Sequence, residues 1–381
     1  MSSVKRATVT LLSAAAFTAA AIGTAQAAGR WQQDQVPVPS GNVLAMTQLD
    51  PHTTWAAGFQ LTVDGQSSAL NPMLLARDDR DDRTGGAWKR VATPADTANS
   101  RINALSAAGA HDVWLVGDND PATKGSILTE HWDGKSWRIA DAPVPAGTVS
   151  AGFLGVATLS PHDAWAVGWT QRMRGNDSYD TGLIEHWDGK VWQQVKLPAA
   201  VPDTELMGIT ATGPHDIWAS GVLPDGTDQP VLLHYDGHTW TRATVPNTGL
   251  YGEFNTVVAA GPNDVWAAGR TLLDDKDRGH PLVAHYDGHT WKTIPTPGTG
   301  VIFAAAPTPG GVTVVGYDKT TDQPCGEQLD GTGWHSLNLP TVGIDSTPYS
   351  VSANARGITV GGAYNPDETN PFRPLILTAS R

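Results

Sequence analysis

The chain has a single cysteine, Cys325, among 381 residues. One thiol excludes an internal disulfide framework and any cysteine-rich zinc site. Basic residues are also scarce: 25 Lys and Arg stand against 38 Asp and Glu, a net charge of −13. Phosphate backbones need a basic footprint, so nucleic acid is not an expected partner. Beyond the first segment there is no long apolar run, so the mature chain is not expected to be embedded in a membrane. Tyr (7) and Phe (6) are few, yet there are 15 Trp, with 41 Gly and 27 Pro. A hydrophobic content of 40% suffices for a packed core.

Residues 1–27 read as a secretory signal peptide. Lys5 and Arg6 form the charged start, an apolar stretch follows, and Ala25-Gln26-Ala27 is a small-residue cleavage signal. Cleavage there leaves 28–381, read as one β-propeller domain, and removes two positive charges, taking the net charge from −13 to −15. A secreted, extracellular, monomeric protein is expected.

Two motifs repeat through the mature chain. The first is PHTTWAAG (51–58), AHDVWLVG (110–117), PHDAWAVG (161–168), PHDIWASG (214–221) and PNDVWAAG (262–269), then the degenerate PGGVTVVG (309–316) and ARGITVGG (355–362). Gly361 is taken as the last repeat glycine. The second is HWDGKSW (131–137), HWDGKVW (186–192) and HYDGHTW at 234–240 and 285–291, with weaker copies at 82–88 and 328–334. Each period holds an alternating strand a, a Pro-His-Asp turn, an apolar strand b, a variable loop and strand c. Asp-Gly then makes a tight turn into strand d, which Trp opens. No helical periodicity interrupts this. The fold class is all-β: a seven-bladed β-propeller of four-stranded antiparallel blades. The last unit ends before any DGxxW, and Trp31-Gln32-Gln33-Asp34-Gln35 matches a strand d such as Trp192-Gln193-Gln194-Val195. The N-terminal strand is therefore predicted to complete the C-terminal blade and close the ring.

These repeats resemble kelch and galactose-oxidase-type propellers over nearly the whole mature chain. The resemblance rests on strand b ending in Gly, an aromatic-Asp pair closing strand c and a Trp opening strand d. It departs from kelch in the paired glycine, present only at Gly361-Gly362, and the DGxxW turn is similar to the sialidase Asp-box without its spacer. Fourteen Trp fall at repeat positions and are expected to pack between blades. Trp169 alone is assigned to a variable loop.

In such a ring, the b–c and d–a loops share one face and the a–b and c–d turns the other. The turns barely change between repeats, whereas the b–c and d–a loops vary, which makes their face the candidate binding surface. The heads of the inner strands place Asn42, Arg101, Glu205 and Glu253 there, with Asn103 and Asn255 two residues on. Tyr179, Tyr251, Tyr349 and Trp169 are candidate stacking surfaces. The repeat histidines His52, His111, His162, His215, His131, His186, His234 and His285 are read as turn hydrogen bonders, because equivalent blade positions diverge around an axis. No metal site or cofactor is expected. The acidic runs 78–83 and 274–278 lack calcium-loop spacing and read as solvated loops.

No catalytic set converges: G-x-S-x-G and HExxH are absent, and Cys325 has no Tyr–His constellation beside it. The expectation is a non-catalytic propeller that binds an extracellular protein or a glycan through its variable face. The alternative is a carbohydrate-active hydrolase or lyase at the channel mouth, with Glu205 or Glu253 as acid/base near Arg101.

Overall fold

The computed structural model describes residues 31–65, 67–80, 86–94, 99–119, 127–201, 203–224, 228–246, 250–273 and 279–380. The expected signal peptide, residues 81–83 of the first acidic run and all of the second lie outside the described residues. Every described element is a strand, and the strands form seven four-stranded antiparallel sheets.

Blade 1 is β2 (Gly41–Asp50), β3 (Thr53–Asp64), β4 (Ser67–Asp78) and β5 (Lys89–Val91). Blade 2 is β6 (Ser100–Gly109), β7 (Asp112–Asn119), β8 (Ile127–Trp132) and β9 (Trp137–Ile139). Blade 3 is β10 (Thr148–Ser160), β11 (Asp163–Arg174), β12 (Asp177–Trp187) and β13 (Trp192–Val195). Blade 4 is β14 (Glu205–Gly213), β15 (Asp216–Leu223), β16 (Gln229–Tyr235) and β17 (Trp240–Arg242). Blade 5 is β18 (Tyr251–Gly261), β19 (Asp264–Leu272), β20 (His280–Tyr286) and β21 (Trp291–Ile294). Blade 6 is β22 (Val301–Thr308), β23 (Gly311–Asp318), β24 (Gln323–Asp330) and β25 (Gly333–Ser336). Blade 7 is β26 (Asp345–Asn354), β27 (Gly357–Asn365), β28 (Arg373–Ser380) and, from the other end of the chain, β1 (Gln32–Gln33). Each first strand packs against those of the two flanking blades, and β2 meets β26, so the ring is closed.

The Trp residues fill the contacts between blades. The strand-b indole of one blade meets the strand-c aromatic and the strand-d Trp of the next. Trp55 meets Trp132 and Trp137, Trp114 meets Trp187 and Trp192, Trp165 meets Tyr235 and Trp240, and Trp218 meets Tyr286 and Trp291. Burying about 200 Å² per indole at about 25 cal/mol/Å² is worth about 5 kcal/mol before ordering costs. The residue three after each strand-d Trp packs on the next blade and is apolar in six blades: Val91, Ala140, Val195, Ala243, Ile294 and Leu337.

The seventh contact, where the chain ends meet, keeps an apolar cluster of Val43, Met73, Leu75, Trp88 and Ile376 but carries a polar residue at this position. Asp34 stands at that position, and its Oδ2 accepts from Arg77 (2.7 Å), Trp88 Nε1 (3.0 Å) and Thr378 (2.9 Å). Asp34 N–H donates to the Ile376 carbonyl at 2.9 Å, continuing the short pairing of Gln32 and Gln33 with Thr378 and Leu377.

Every first strand carries a β-bulge at the same place, at Leu44, Asn103, Leu154, Met207, Asn255, Phe303 and Tyr349. The bulge pushes a backbone carbonyl against the glycine that ends the first motif. A Cβ added to Gly58, Gly117, Gly168, Gly221, Gly269, Gly316 or Gly362 would lie within 2.0 Å of a carbonyl oxygen of strand a. The motif glycine is therefore a steric requirement. In the last blade the residue meeting it is Gly362, which corrects the choice of Gly361.

Strand d is short and covers only the lower part of strand c. Where strand c is uncovered, five blades place a proline: Pro72, Pro230, Pro281, Pro324 and Pro374, each opposite the residue after the motif glycine. An imide nitrogen has no proton to offer an intruding strand, so these prolines guard the outer edge.

Candidate functional site

The face built from the a–b and c–d turns is largely bonded to itself. Four blades repeat an Asp–His pair: His131 with Asp112, His186 with Asp163, His234 with Asp216 and His285 with Asp264, all at 2.7–2.8 Å. Each imidazole also stacks on the strand-b Trp, with ring centroids 4.0–4.5 Å apart. In four DG turns the Asp accepts the N–H groups two and three residues on, as Asp188 does from Lys190 and Val191. Those bonds hold the Asp133, Asp188 and Asp236 carboxyls below the usual carboxylate range. The glycines of these turns, Gly134, Gly189 and Gly237, have φ near +90° and lie against His111, His162 and His215. The two sequence motifs are thus halves of one clasp.

The opposite face differs. Among the described residues nine large hydrophobic side chains are exposed, and seven of them belong to it: Val63, Val144, Val149, Met173, Leu250, Leu273 and Ile344. Two hairpins rise on this side, β3–β4 in blade 1 and β11–β12 in blade 3. The b–c connection of blade 3 is therefore a β-ribbon paired out to Arg174 and Asp177, where a variable loop was expected. Trp169 lies inside β11, paired with Gly152 and Gly182, so its assignment to a loop is corrected. Tyr179 lies on β12 opposite Arg172, with the Arg174 guanidinium 4.6 Å from its ring centre.

The other expected site residues sit at the inner-strand heads and are mostly engaged. Arg101 Nε donates to both Asp118 oxygens at 2.8 and 3.2 Å. Asn103 Nδ2 donates to Asp118 at 2.6 Å and to the Phe153 carbonyl of the next blade at 2.9 Å. Asn255 makes the same stitch to the Ile302 carbonyl at 2.8 Å. Glu253 pairs with Arg270 at 3.0 Å, and Arg101 pairs with Asp118 rather than with either glutamate. Asn42 is 8% exposed, with Oδ1 unpartnered. Glu205 and Tyr251 open β14 and β18 and are half-buried. Tyr349 sits on the bulge of β26, its ring centre 5.1 Å from that of Phe303. The structure thus gathers Arg101 with Asn103 around Asp118, places the Trp169 Nε1 and the Asp118 side chain together over Gly152, sets Glu253 against Arg270, and leaves Tyr179 farther out on the blade 3 ribbon.

The sequence reading did not single out two grooves at the outer rim. One, of about 440 Å³, is lined by residues 33–39 with Tyr364, Arg373 and Pro374. The other, of about 300 Å³, is lined by residues 242–246 with Gln229 and Pro230. None of the ten expected site residues lines either groove. Aligning WQQDQVP (31–37) with WTRATVP (240–246) would have exposed the correspondence. Cys325 is free and half-buried on β24; burial, with Asp318 and Glu327 nearby, pushes its thiol up to about 12 and keeps it protonated.

Fold and faces define a seven-bladed β-propeller closed by its own N-terminal strand. Among solved structures, YCF48 bound to a D1 peptide is similar with a TM-score of 0.59 and 16% identity, covering 94% of this chain and 99% of that one. YCF48 from Cyanidioschyzon merolae is similar at 0.56 and 14%, covering 92% and 99%. A mutant of the Aleuria aurantia lectin with alpha-methyl-L-fucoside follows at 0.46 and 14%, covering 79% and 96%. At these identities the likeness is one of fold. No protein-family model and no curated protein matches the chain.

Proposed function

We propose that this chain is a secreted, monomeric, non-catalytic propeller that takes a protein partner on the face of its b–c and d–a segments. The carrying observation is the asymmetry of the two faces: exposed apolar side chains gather on one, while the other is a shell of turns largely bonded to itself. Exposed apolar groups gain free energy when covered, so their preference for one face favours that face for association. The YCF48 structure with a D1 peptide supports the reading, as a propeller of similar fold that holds a polypeptide. The kelch and galactose-oxidase-like character of the repeats fits a scaffold that carries its specificity in the loops. The enzymatic alternative has less support: Glu253 is tied to Arg270, and neither rim groove contains Glu205 or Glu253.

The test is crosslinking of the purified chain to surface and secreted proteins of its source, with the contact peptides mapped by mass spectrometry. Crosslinks should map to this face. The triple variant Met173→Asp, Leu250→Asp, Leu273→Asp should lose at least ~10-fold of the captured partner, because each change removes an apolar contact. Its melting temperature should hold, since all three side chains are exposed. Undiminished capture by the variant, or crosslinks confined to the turn face, would overturn the reading.

A further inference from the structure

The two rim grooves occupy one repeat position in blades 7 and 4. In each, a strand-c proline (Pro374, Pro230) faces a strand-d segment ending in Val-Pro (Val36-Pro37, Val245-Pro246). Each groove holds one arginine, and an arginine and a glutamine exchange places between them: Arg373 on strand c and Gln33 on strand d in blade 7, Gln229 on strand c and Arg242 on strand d in blade 4. Neither Arg242 nor Arg373 forms an ion pair or side-chain hydrogen bond among the described residues. Asp34 also borders the blade 7 groove, but its carboxylate is turned to Arg77, Trp88 and Thr378.

Blade 1 shows what an arginine does here when an acceptor is in reach. Arg90 is the counterpart of Arg242, and it crosses to Gln60 Oε1 at 2.6 Å and to the Pro72 carbonyl at 3.2 Å. In blade 4 the counterpart of Gln60 is Leu223, which has no acceptor to give. The guanidinium fork therefore stands in an open groove. An uncommitted fork matches a carboxylate, which it grips through two parallel bonds.

We propose that these grooves are two copies of one binding site for a carboxylate-bearing sugar, the unit of an acidic glycan. The exposed amides of Gln33 and Gln35 suit hydroxyl groups, and the Pro37 and Pro246 rings, with Tyr364, suit the C–H faces of a sugar ring, while Pro230 and Pro374 are buried and form the floor. An extended peptide is the poorer fit. Pro230 and Pro374 remove the outward N–H that main-chain pairing with strand c would need. Tyr364 has no partner of its kind in blade 4, so the blade 7 copy binds more tightly. This site lies apart from the apolar face and does not depend on it.

The experiment is isothermal titration of the full mature chain with trigalacturonate, with galactotriose as the neutral control. Two sites per chain are expected for trigalacturonate, weakening as salt is raised, and none for galactotriose. Arg242→Gln and Arg373→Gln should each leave one site, and the double variant should lose at least ~10-fold in affinity. Arg242→Lys, which keeps the charge without the fork, should also lose its site. Arg90→Gln should keep both sites. Unchanged binding in the double variant, no saturable binding of trigalacturonate, equal binding of galactotriose, or equal binding of an acetylated tri-glutamate would each overturn the assignment.

Discussion

Glu185 has no exposed surface, and neither carboxylate oxygen has a partner. Burial pushes its carboxyl up to about 8. The unfolded chain ionises near the ordinary glutamate value of 4.5, so between about 4.5 and 8 the folded state holds a proton the unfolded state has lost. Stability should therefore fall as pH rises through that window. Blade 4 has Leu233 at the equivalent strand-c position. Glu185→Leu should remove the slope and stabilise the fold by about 2 kcal/mol at pH 7, measured by urea unfolding at pH 5 and pH 8. An unchanged slope would refute the burial account. Gly221→Ala tests the bulge: its methyl would lie 1.9 Å from the Glu205 carbonyl oxygen. A loss of about 2–3 kcal/mol is expected, whereas exposed Gly175, with nothing near its Cβ but φ at +65°, should lose only about 1 kcal/mol. At this scale the sequence showed which residues repeat and concealed what they touch. Asn103 and Asn255 read as rim groups because their acceptors are main-chain carbonyls 50 and 47 residues away, which no side-chain pattern marks.

The alternation of apolar residues and the DG turns showed a four-strand unit repeated seven times, because both report local geometry. Strand length was less legible. The ribbon of blade 3 continues through Met173 and Arg174, where exposed residues, polar and apolar alike, give no burial pattern, and pairing with β12 keeps it extended. The strand-c prolines were visible but unexplained until the short reach of strand d was known. The seam makes the sharpest prediction for an element. Asp34→Val restores the apolar residue of the other contacts but leaves Arg77, 21% exposed, with Asp79 and Thr378 alone and takes the acceptor from Trp88 Nε1. The expected cost is about 2 kcal/mol. Adding Arg77→Tyr places an aromatic where Tyr235 and Tyr286 stand in blades 4 and 5 and should recover most of the loss. A double variant no better than the single would show that the seam does not follow the packing rule of its neighbours.

For the whole molecule, the repeat encodes the ring almost completely, because each blade buries its aromatics only against the next. The binding chemistry was far less legible. It lies in departures from the repeat, such as an arginine without its usual acceptor or an apolar tip on a loop, and these become visible once equivalent positions are superposed in space.

The seam also joins parts of the fold that lie far apart in sequence. Asp34 and Thr378, bonded in the closed ring, are 344 residues apart. A contact of that separation carries a larger loop-closure cost than the other blade contacts, which are made between neighbouring repeats. The meeting of blades 7 and 1 is thus the long-range fastening of an otherwise local structure.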